Sequence, residues 1–309
     1  CTDTNQVIIS EPLNALDVVI DSTDDISCNG GSDGVVYSSA SGGTPDLGDY
    51  TYSIASPVPA QANNTTGTFG NLPANTVYTI SVSDSLGCTD TVSFSLSEPL
   101  ALVLGTDSTI DVSCNGGNDG AIYSTASAGT APYSSYTLTG GTTTSANPNA
   151  TGDFLGLAQG NYTITVTDDN GCMDSLTYMI NEPTAVDVIL DSATNVLCTG
   201  DSSGIAYASS TGGTGGTYTY SIAPANTTSA NPNTAGIFAG LPQGTYTITG
   251  SDSNGCMDTI IFTIDEPLDA VNIDSITGVS PSCIPGGDGA FTIYASGGTS
   301  PYTYNYSVG

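Results

Sequence analysis

The sequence predicts an all-β protein, a tandem array of immunoglobulin-like, Greek-key β-sandwich repeats of about 84–87 residues that form an extended rod. Three observations support this prediction. Landmarks recur on one period along the chain, each period holds six or seven short segments of alternating apolar and polar residues, and turn residues separate the segments about every 8–12 residues. This pattern is typical of a β-sandwich, because successive side chains of a strand point to opposite faces of the sheet.

The period is visible in three sets of landmarks. The dipeptide Glu-Pro recurs with steps of 87, 84 and 84 residues, one cysteine series with steps of 86, 84 and 85, and another with steps of 87, 84 and 84. The landmarks are Glu11-Pro12, Glu98-Pro99, Glu182-Pro183 and Glu266-Pro267; Cys28, Cys114, Cys198 and Cys283; and Cys1, Cys88, Cys172 and Cys256.

These landmarks divide the chain into five parts. We predict the C-terminal strand of a preceding repeat at 1–12, whole repeats at 13–98, 99–182 and 183–266, and the N-terminal part of a following repeat at 267–309. Because the first cysteine falls in mid-repeat, we expect the sequence to be a fragment of a longer array. Proline at each boundary fixes φ and predicts a stiff, extended junction.

The third repeat illustrates the strand pattern. Its alternating segments are 185–190, 205–208, 218–222, 237–241, 245–249 and 259–264. The spacing Leu-x-x-Gly-x-Tyr, as in Leu157 to Tyr162 and Leu241 to Tyr246, and with one more residue from Leu72 to Tyr78, predicts a tyrosine corner. In that motif a tyrosine hydroxyl holds the loop before strand F. The alternative is a tyrosine that only pairs across strands.

Composition excludes several function classes. The chain has no Lys, Arg, His or Trp against 30 Asp plus Glu, a formal charge of −30. No Ser-His-Asp or Cys-His arrangement can form, so we expect no enzyme. Nucleic acid is excluded because phosphate binding depends on Lys and Arg. No run of about 20 apolar residues occurs, so we expect no membrane insertion in this segment.

Eight cysteines without a Cys-x-x-Cys spacing predict disulfides in an oxidising compartment, and therefore an extracellular or outer cell-surface location. Pairing within a repeat would give Cys28–Cys88, Cys114–Cys172 and Cys198–Cys256. In an immunoglobulin-like topology, however, the first cysteine lies at the A–B turn and the second at the F–G turn. Those turns are at opposite ends of a strand of roughly 23 Å, too far for a disulfide.

The A–B end of one repeat meets the next repeat, whose F–G turn faces it. We therefore predict disulfides between consecutive repeats, Cys28–Cys172 and Cys114–Cys256. Cys1 and Cys88 would then pair with preceding repeats, and Cys198 and Cys283 with following ones.

Aspartates recur in the turns that precede or follow the cysteines. They are Asp33, Asp119 and Asp288 in Asp-Gly turns, and Asp84, Asp168 and Asp252 before the second cysteine of each repeat. Asp side chains stabilise such turns by binding their own backbone, and no ligand is then needed. The alternative is Ca²⁺, held by carboxylates and carbonyls at the repeat junctions. We predict no required cofactor.

Several spaced motifs resemble a known family. They are Cys-Asn-Gly-Gly-Ser-Asp-Gly at 28–34, its variant at 114–120, Asp-x-x-Gly-Cys at 84–88, 168–172 and 252–256, and Pro-Tyr-x-Tyr at 301–304. They are similar to SprB-type repeats of large cell-surface adhesins of gliding Bacteroidota, exported by type IX secretion. Cys198, followed by Thr-Gly-Asp, and Cys283, followed by Ile-Pro-Gly-Gly, depart from the pattern. The resemblance implies a cell-surface filament.

Asp-Ser and Asp-Thr dipeptides recur in register twice per repeat, and are similar to the O-glycosylation signal of Bacteroidota. The candidate acceptors are Ser22, Ser108, Ser192 and Ser275, followed by Thr91, Ser175 and Thr259. The alternative is that such dipeptides are common where polar and core residues alternate.

From these observations we predict a structural or adhesive extracellular filament, serving cell-surface adhesion or gliding motility. Its partners would be neighbouring repeats, other copies in a fibre, and an extracellular surface or glycan ligand. An array of carbohydrate-binding modules and a surface-layer or matrix scaffold are the alternatives.

Overall fold

We describe the fold from a computed structural model of the chain. The structure describes residue 5 and residues 14–44, 49–55, 61–74, 76–282 and 287–307. By its contacts the chain divides into two compact units, one of residues 1–110 with 121–179 and the other of residues 111–120 with 180–309. The described residues form β-strands, turns and loops, and none of them lies in a helix that could span a membrane.

Each whole repeat contributes six strands in the same order. The strands of the first repeat are β1 (Asp17–Asp24), β2 (Gly34–Ser41), β3 (Thr51–Ala55), β4 (Thr68–Leu72), β5 (Val77–Ser83) and β6 (Thr89–Ser95). Those of the second are β7 (Val103–Ile110), β8 (Gly120–Ser127), β9 (Ser135–Thr139), β10 (Asp153–Leu157), β11 (Gly160–Thr167) and β12 (Met173–Ile180).

The third repeat has β13 (Thr184–Thr194), β14 (Gly204–Gly213), β15 (Thr219–Ala223), β16 (Ile237–Leu241), β17 (Gly244–Ser251) and β18 (Met257–Ile264). Two further strands follow, β19 (Asn272–Val279) and β20 (Ala290–Ser296), and they form an antiparallel hairpin.

The strand order identifies an immunoglobulin-like sandwich. In the first repeat one sheet has the order β1-β2-β4 and the other β3-β5-β6, and the same two orders recur in the second and third repeats. With the six strands named A, B, C, E, F and G, the sheets are A-B-E and C-F-G, the two sheets of this fold. The fold class predicted from the sequence is therefore confirmed: an all-β chain of tandem immunoglobulin-like repeats.

The core of each sandwich lies between its two sheets. In the first repeat Val36 and Phe69 from the A-B-E sheet and Tyr78, Ile80 and Val82 from the C-F-G sheet are at most 1% exposed. The buried residues alternate with exposed ones along the strands, as a sheet with one solvated face requires. Apolar alternation in the sequence is thus the cause of the layered architecture.

The tyrosine corner is present in all three whole repeats. The hydroxyl of Tyr78 donates to the carbonyl of Pro73 at 2.6 Å, and that of Tyr246 donates to the carbonyl of Pro242 at 2.9 Å. In the second repeat Tyr162 donates to the carbonyl of Ala158 at 3.0 Å. Each ring is buried while its hydroxyl is satisfied by the loop before strand F, so this prediction is confirmed.

Candidate functional site: the links between consecutive repeats

The A–B turn of each repeat is held by the Glu-Pro dipeptide at that repeat's C-terminal end. Gly30 has a φ of 74°, which favours glycine, and its N–H donates to Oε2 of Glu98 at 2.6 Å. The neighbouring Asn29 donates its Nδ2 to the carbonyl of Pro99 at 3.0 Å. Glu98, Glu182 and Glu266 therefore each order a turn some 70 residues earlier, a role that the sequence pattern did not reveal.

The same arrangement explains one departure from the repeat pattern. In the third repeat Gly200 donates to Glu266 at 2.7 Å, and Thr199 occupies the place of the asparagine. The Thr199 hydroxyl donates to the carbonyl of Pro267 at 3.1 Å, so it replaces the asparagine amide as donor to the same acceptor. The turn keeps its hydrogen bonds although the residue differs.

The F–G turn is organised by a buried aspartate. Oδ1 of Asp84 accepts the N–H groups of Leu86 and Cys88 at 3.0 and 2.8 Å, and Oδ2 accepts the N–H of Thr44 at 2.9 Å. Asp168 and Asp252 make the equivalent bonds in the next two repeats. One carboxylate thus closes its own turn and ties it to the loop between strands B and C.

These hydrogen bonds stabilise the charged form of the carboxylate. The backbone N–H of Thr44 is the largest of the causes that lower the pKa of Asp84 to about 2, and the N–H of Cys88 also contributes. In the third repeat the N–H of Thr214 likewise lowers the pKa of Asp252 below its ordinary value.

Two disulfides join the A–B turn of one repeat to the F–G turn of the next. Cys28 is bonded to Cys172, with Cα atoms 5.6 Å apart, and Cys114 is bonded to Cys256, with Cα atoms 5.5 Å apart. Each bridge lies within one compact unit, because residues 111–120 belong to the same unit as the third repeat. Pairing between consecutive repeats, and not within a repeat, is the arrangement in this structure.

An asparagine hydrogen bond accompanies each disulfide. Nδ2 of Asn170 donates to the carbonyl of Ser27 at 2.9 Å, and Nδ2 of Asn254 donates to the carbonyl of Ser113 at 3.3 Å. Cys256 is only 8% exposed and belongs to the core of the third repeat, against which Cys114 packs. The second bridge is therefore anchored in a core and supported by a polar contact beside it.

The other cysteines have no disulfide partner in the described part of the chain. Cys88 and Cys198 are free and exposed, and Cys1 and Cys283 lie outside the described residues. Pairing of these four with further repeats stays a prediction.

The aspartates proposed as calcium ligands bind backbone N–H groups. Asp33 and Asp119 accept the N–H of Ser27 and Ser113 at 3.2 and 3.0 Å, and Asp288 accepts that of Ser282 at 3.0 Å. Within the described residues no three or more His, Cys, Asp or Glu side chains are grouped so that they could hold a metal ion. The turn role of these aspartates is directly visible in the structure.

The aspartates of the two Asp-Ser/Thr series have structural roles that sequence reasoning missed. In the first series Asp21 sits at a bulge between Ile20 and Ser22 and accepts the hydroxyl of Ser39 at 2.8 Å. Asp107, Asp191 and Asp274 make the same bond with Thr125, Ser209 and Ser296.

In the second series Asp90, on strand G, accepts the N–H of Val18, on strand A, at 2.9 Å. Asp174 and Asp258 bind Leu104 and Val188 in the same way, at 2.8 and 2.9 Å. These carboxylates link the two sheets of each sandwich at one edge. The hydroxyl-bearing candidates Ser22, Ser108, Ser192, Ser275, Thr91, Ser175 and Thr259 are all exposed.

With this geometry established, comparison with known families gives a match inside the second repeat. Residues 106–143 match the SprB repeat. The matched segment begins in strand A, includes the A–B turn with Cys114, and extends past strand C. The match supports a SprB-type repeat at this place in the chain, in agreement with the motifs at 28–34 and 114–120.

Solved structures with tandem domains align over much of the chain at low sequence identity. The three N-terminal domains of the bacteriophage RB49 highly immunogenic outer capsid protein match with 14% identity and a TM-score of 0.36, covering 81% of this chain and 97% of that one. The bacterial integrin-binding protein invasin matches with 16% identity and a TM-score of 0.35, covering 85% and 62%.

The N-terminal eight immunoglobulin domains of the Down Syndrome Cell Adhesion Molecule match with 14% identity and a TM-score of 0.30, covering 74% of this chain and 34% of that chain. The comparison with curated protein sequences gives no match.

Proposed function

We propose that this chain is part of an extracellular filament whose role is structural and adhesive, and not catalytic. The observation that carries the proposal is the pair of disulfides between consecutive repeats. A disulfide within a repeat would stabilise that repeat alone. A disulfide from each repeat to the next provides a second covalent connection beside the backbone, which suits a protein that must remain intact when it is pulled.

Three further observations support an extracellular role. Disulfides persist in oxidising environments, the repeats are immunoglobulin-like, and residues 106–143 match the SprB repeat. The resemblance to adhesins of gliding Bacteroidota extends the proposal to adhesion during gliding motility, after export by type IX secretion.

Electron microscopy of the native protein tests the filament. We expect rods with one repeat per about 35–45 Å, because strands of five to eight residues at about 3.3 Å per residue span roughly 17–26 Å and the turns at both ends of the sandwich add to this length. Globular particles would contradict the proposal.

Peptide mapping without reduction tests the linkage. A protease other than trypsin is needed because the chain has no Lys or Arg. We expect peptides that join Cys28 to Cys172 and Cys114 to Cys256. A peptide joining Cys114 to Cys172 would show that the repeats are linked differently.

Carbohydrate binding is a second candidate function, favoured by one observation. Tyr37 and Tyr207 are 38% and 39% exposed on strand B, and the Tyr37 hydroxyl donates to Asp24 at 3.3 Å. An exposed ring beside a carboxylate offers both an apolar surface and a hydrogen-bond acceptor to a sugar. Binding of the chain to a glycan array, lost in the variant Tyr37→Ala/Tyr207→Ala, would support this function.

Two modifications of the filament remain proposals. The exposed candidates headed by Ser22 and Thr91 would carry O-glycans, and intact mass of the native protein should then exceed the sequence mass by hexose-sized steps. Calcium would stiffen the junctions if carbonyls and water completed a site around Asp84 or Asp168, and a chelator should then lower the melting temperature. An unchanged mass would contradict the glycans, and an unchanged melting temperature would contradict the calcium site.

A further inference from the structure

The outward face of each C-F-G sheet has a composition unlike the rest of this acidic protein. In the three whole repeats this face comprises 33 strand positions that alternate with the buried residues, and 25 of them are Ser or Thr. None of the 33 is Asp or Glu, in a chain that has 30 such residues. We call these surfaces the hydroxyl faces. They include Thr91, Ser175 and Thr259, so association through them requires that these three positions carry no glycan, and leaves Ser22, Ser108, Ser192 and Ser275 as O-glycan acceptors.

Hydroxyls on these faces bind within the sheet. The side chains of Thr79 and Ser93 are 3.1 Å apart on strands F and G, as are those of Thr163 and Thr177. Other hydroxyls donate to strand carbonyls, for example Ser53 to Ser81 at 3.3 Å. A hydroxyl that is already bound to another hydroxyl or to a strand carbonyl has part of its hydrogen-bonding capacity satisfied, so the face is less polar than its sequence indicates.

Large apolar side chains stand exposed among the hydroxyls. Val77 is 69% exposed in the first repeat, Met173 and Met179 are 70% and 62% exposed in the second, and Met257 and Ile261 are each 68% exposed in the third. Depletion of acidic residues and exposed apolar side chains, Met among them, are features that these faces share with protein–protein interfaces, whereas their many Ser residues are not.

The opposite sheet differs in charge. Its outward face carries Asp21, Asp107 and Asp191, held at the bulge of strand A by hydroxyls of strand B. Two copies of this chain could not meet through these A-B-E faces without bringing carboxylates together, and the chain has no cation to compensate them. The hydroxyl face is the outward sheet surface through which like-charged copies can approach.

We propose that the hydroxyl faces are the surfaces through which two copies of this chain associate side by side. The occupant is a second copy and not a glycan, because no aromatic side chain lies on these positions of the nine described strands. One face measures roughly 300 Å², from three strands about 4.8 Å apart and seven residues long. This is less than the ~800 Å² per partner of a stable interface, so association through a single face should be weak.

Sedimentation velocity of the whole chain tests the inference at increasing protein concentration. Because the remaining charges repel, association should be weak at about 0.1 M NaCl, where the Debye length is about 10 Å, and stronger at about 1 M, where it is about 3 Å. A protein that stays monomeric at the higher salt up to about 1 mM, the weak end of specific association, overturns the proposal.

Matched pairs of variants locate the surface. Val77→Glu with Ile261→Glu places two charges on hydroxyl faces, whereas Val19→Glu with Ile189→Glu places two on A-B-E faces, at positions 46% and 41% exposed. The net charge is then the same in both variants. We expect the first pair to raise the dimer Kd by about tenfold or more and the second by less than about threefold, since buried like charges oppose association. Equal effects of the two pairs would refute the assignment of the surface.

Circular dichroism melts show whether both variants fold. We expect both to fold, because all four substituted positions are exposed. The inference rests on the proposed filament function only for its biological use. Rods seen by electron microscopy without self-association would contradict this inference but support the filament. Self-association of globular particles would support this inference but contradict the filament.

Discussion

The third repeat and the segment 267–309 contain closely similar A–B hairpins in different surroundings. The bulge between Leu190 and Ser192 in β13 recurs between Ile273 and Ser275 in β19. Gly213, the last residue of β14, and Gly298, which follows β20, have φ values of 60° and 56°. The strand pairing of the hairpin and its bulge are therefore present also where the described residues include no second sheet.

The two hairpins differ in how deeply their side chains are buried. Val188 in β13 is 4% exposed, whereas Val271, its counterpart in the following segment, is 59% exposed, and every residue of β19 is exposed. The third repeat has its C-F-G sheet packed on the hairpin, and the described part of 267–309 contains no such sheet. The comparison shows that hairpin geometry is local, while stability comes from strands about 35 to 75 residues later in the chain.

Removal of the Cys114–Cys256 disulfide, which the third repeat has, should cause the largest loss of stability. Replacement of Cys114 and Cys256 by Ala opens a link with a sequence separation of 142 residues, and the chain-entropy model predicts a loss of about 5 kcal/mol in the free energy of unfolding. Urea unfolding followed by circular dichroism measures it. Cys198→Ala is the control, because Cys198 is exposed and free. Equal midpoints for the double variant and the control would contradict a stabilising bridge.

A matched pair of valines tests burial directly. Val188→Ala removes two buried methyl groups and should lower the free energy of unfolding by about 2 kcal/mol, whereas Val271→Ala should change it by less than about 0.5 kcal/mol. Thermal melts of the two variants measure the contrast. If Val271→Ala were as destabilising as Val188→Ala, the hairpin of 267–309 would have to be packed against a partner.

The tyrosine corner should give a smaller effect. Tyr246→Phe keeps the buried ring and removes the hydrogen bond to Pro242, at an expected cost of about 1 kcal/mol. Tyr302→Phe is the control, because its hydroxyl donates to the carbonyl of Gly297 in a segment whose described residues include no second sheet. We expect the melting temperature to fall for the first variant only, and a reversed order would show that the corner is not a stabilising element of the whole repeat.

The smallest expected effect is a loss of stability at acid pH. Only a complete repeat can show it, because the aspartate responsible lies in the F–G turn. The pKa of Asp84 is lowered to about 2, below its ordinary value of 3.8, so its stabilising contribution is present above about pH 4 and is lost as the pH falls toward 2. Acid also relieves repulsion between carboxylates, so Asp84→Asn is compared with the wild type. The two melting temperatures should converge near pH 2, and a constant difference would contradict the assignment.

Much of the fold could be predicted from the sequence because the same spacings recur in every repeat. The period, the tyrosine corner and the opposite ends of the A–B and F–G turns all follow from spacing and strand length. The disulfide partners then follow from distance, since a strand of roughly 23 Å cannot be bridged by a disulfide. The turn role of Asp84 and its equivalents was likewise an expectation from local chemistry.

What the sequence by itself determined is therefore local or periodic: alternation along strands, turn residues, and the order of the sandwich elements. Apart from the disulfide partners, only the tertiary structure decided which distant groups meet. Glu98 reaches Gly30, Asp90 joins strand G to strand A, and hydroxyls from three strands combine into one uncharged face. These contacts depend on how two sheets stack and how strands order within them. A pattern in one strand carries no information about the partner that packing brings beside it.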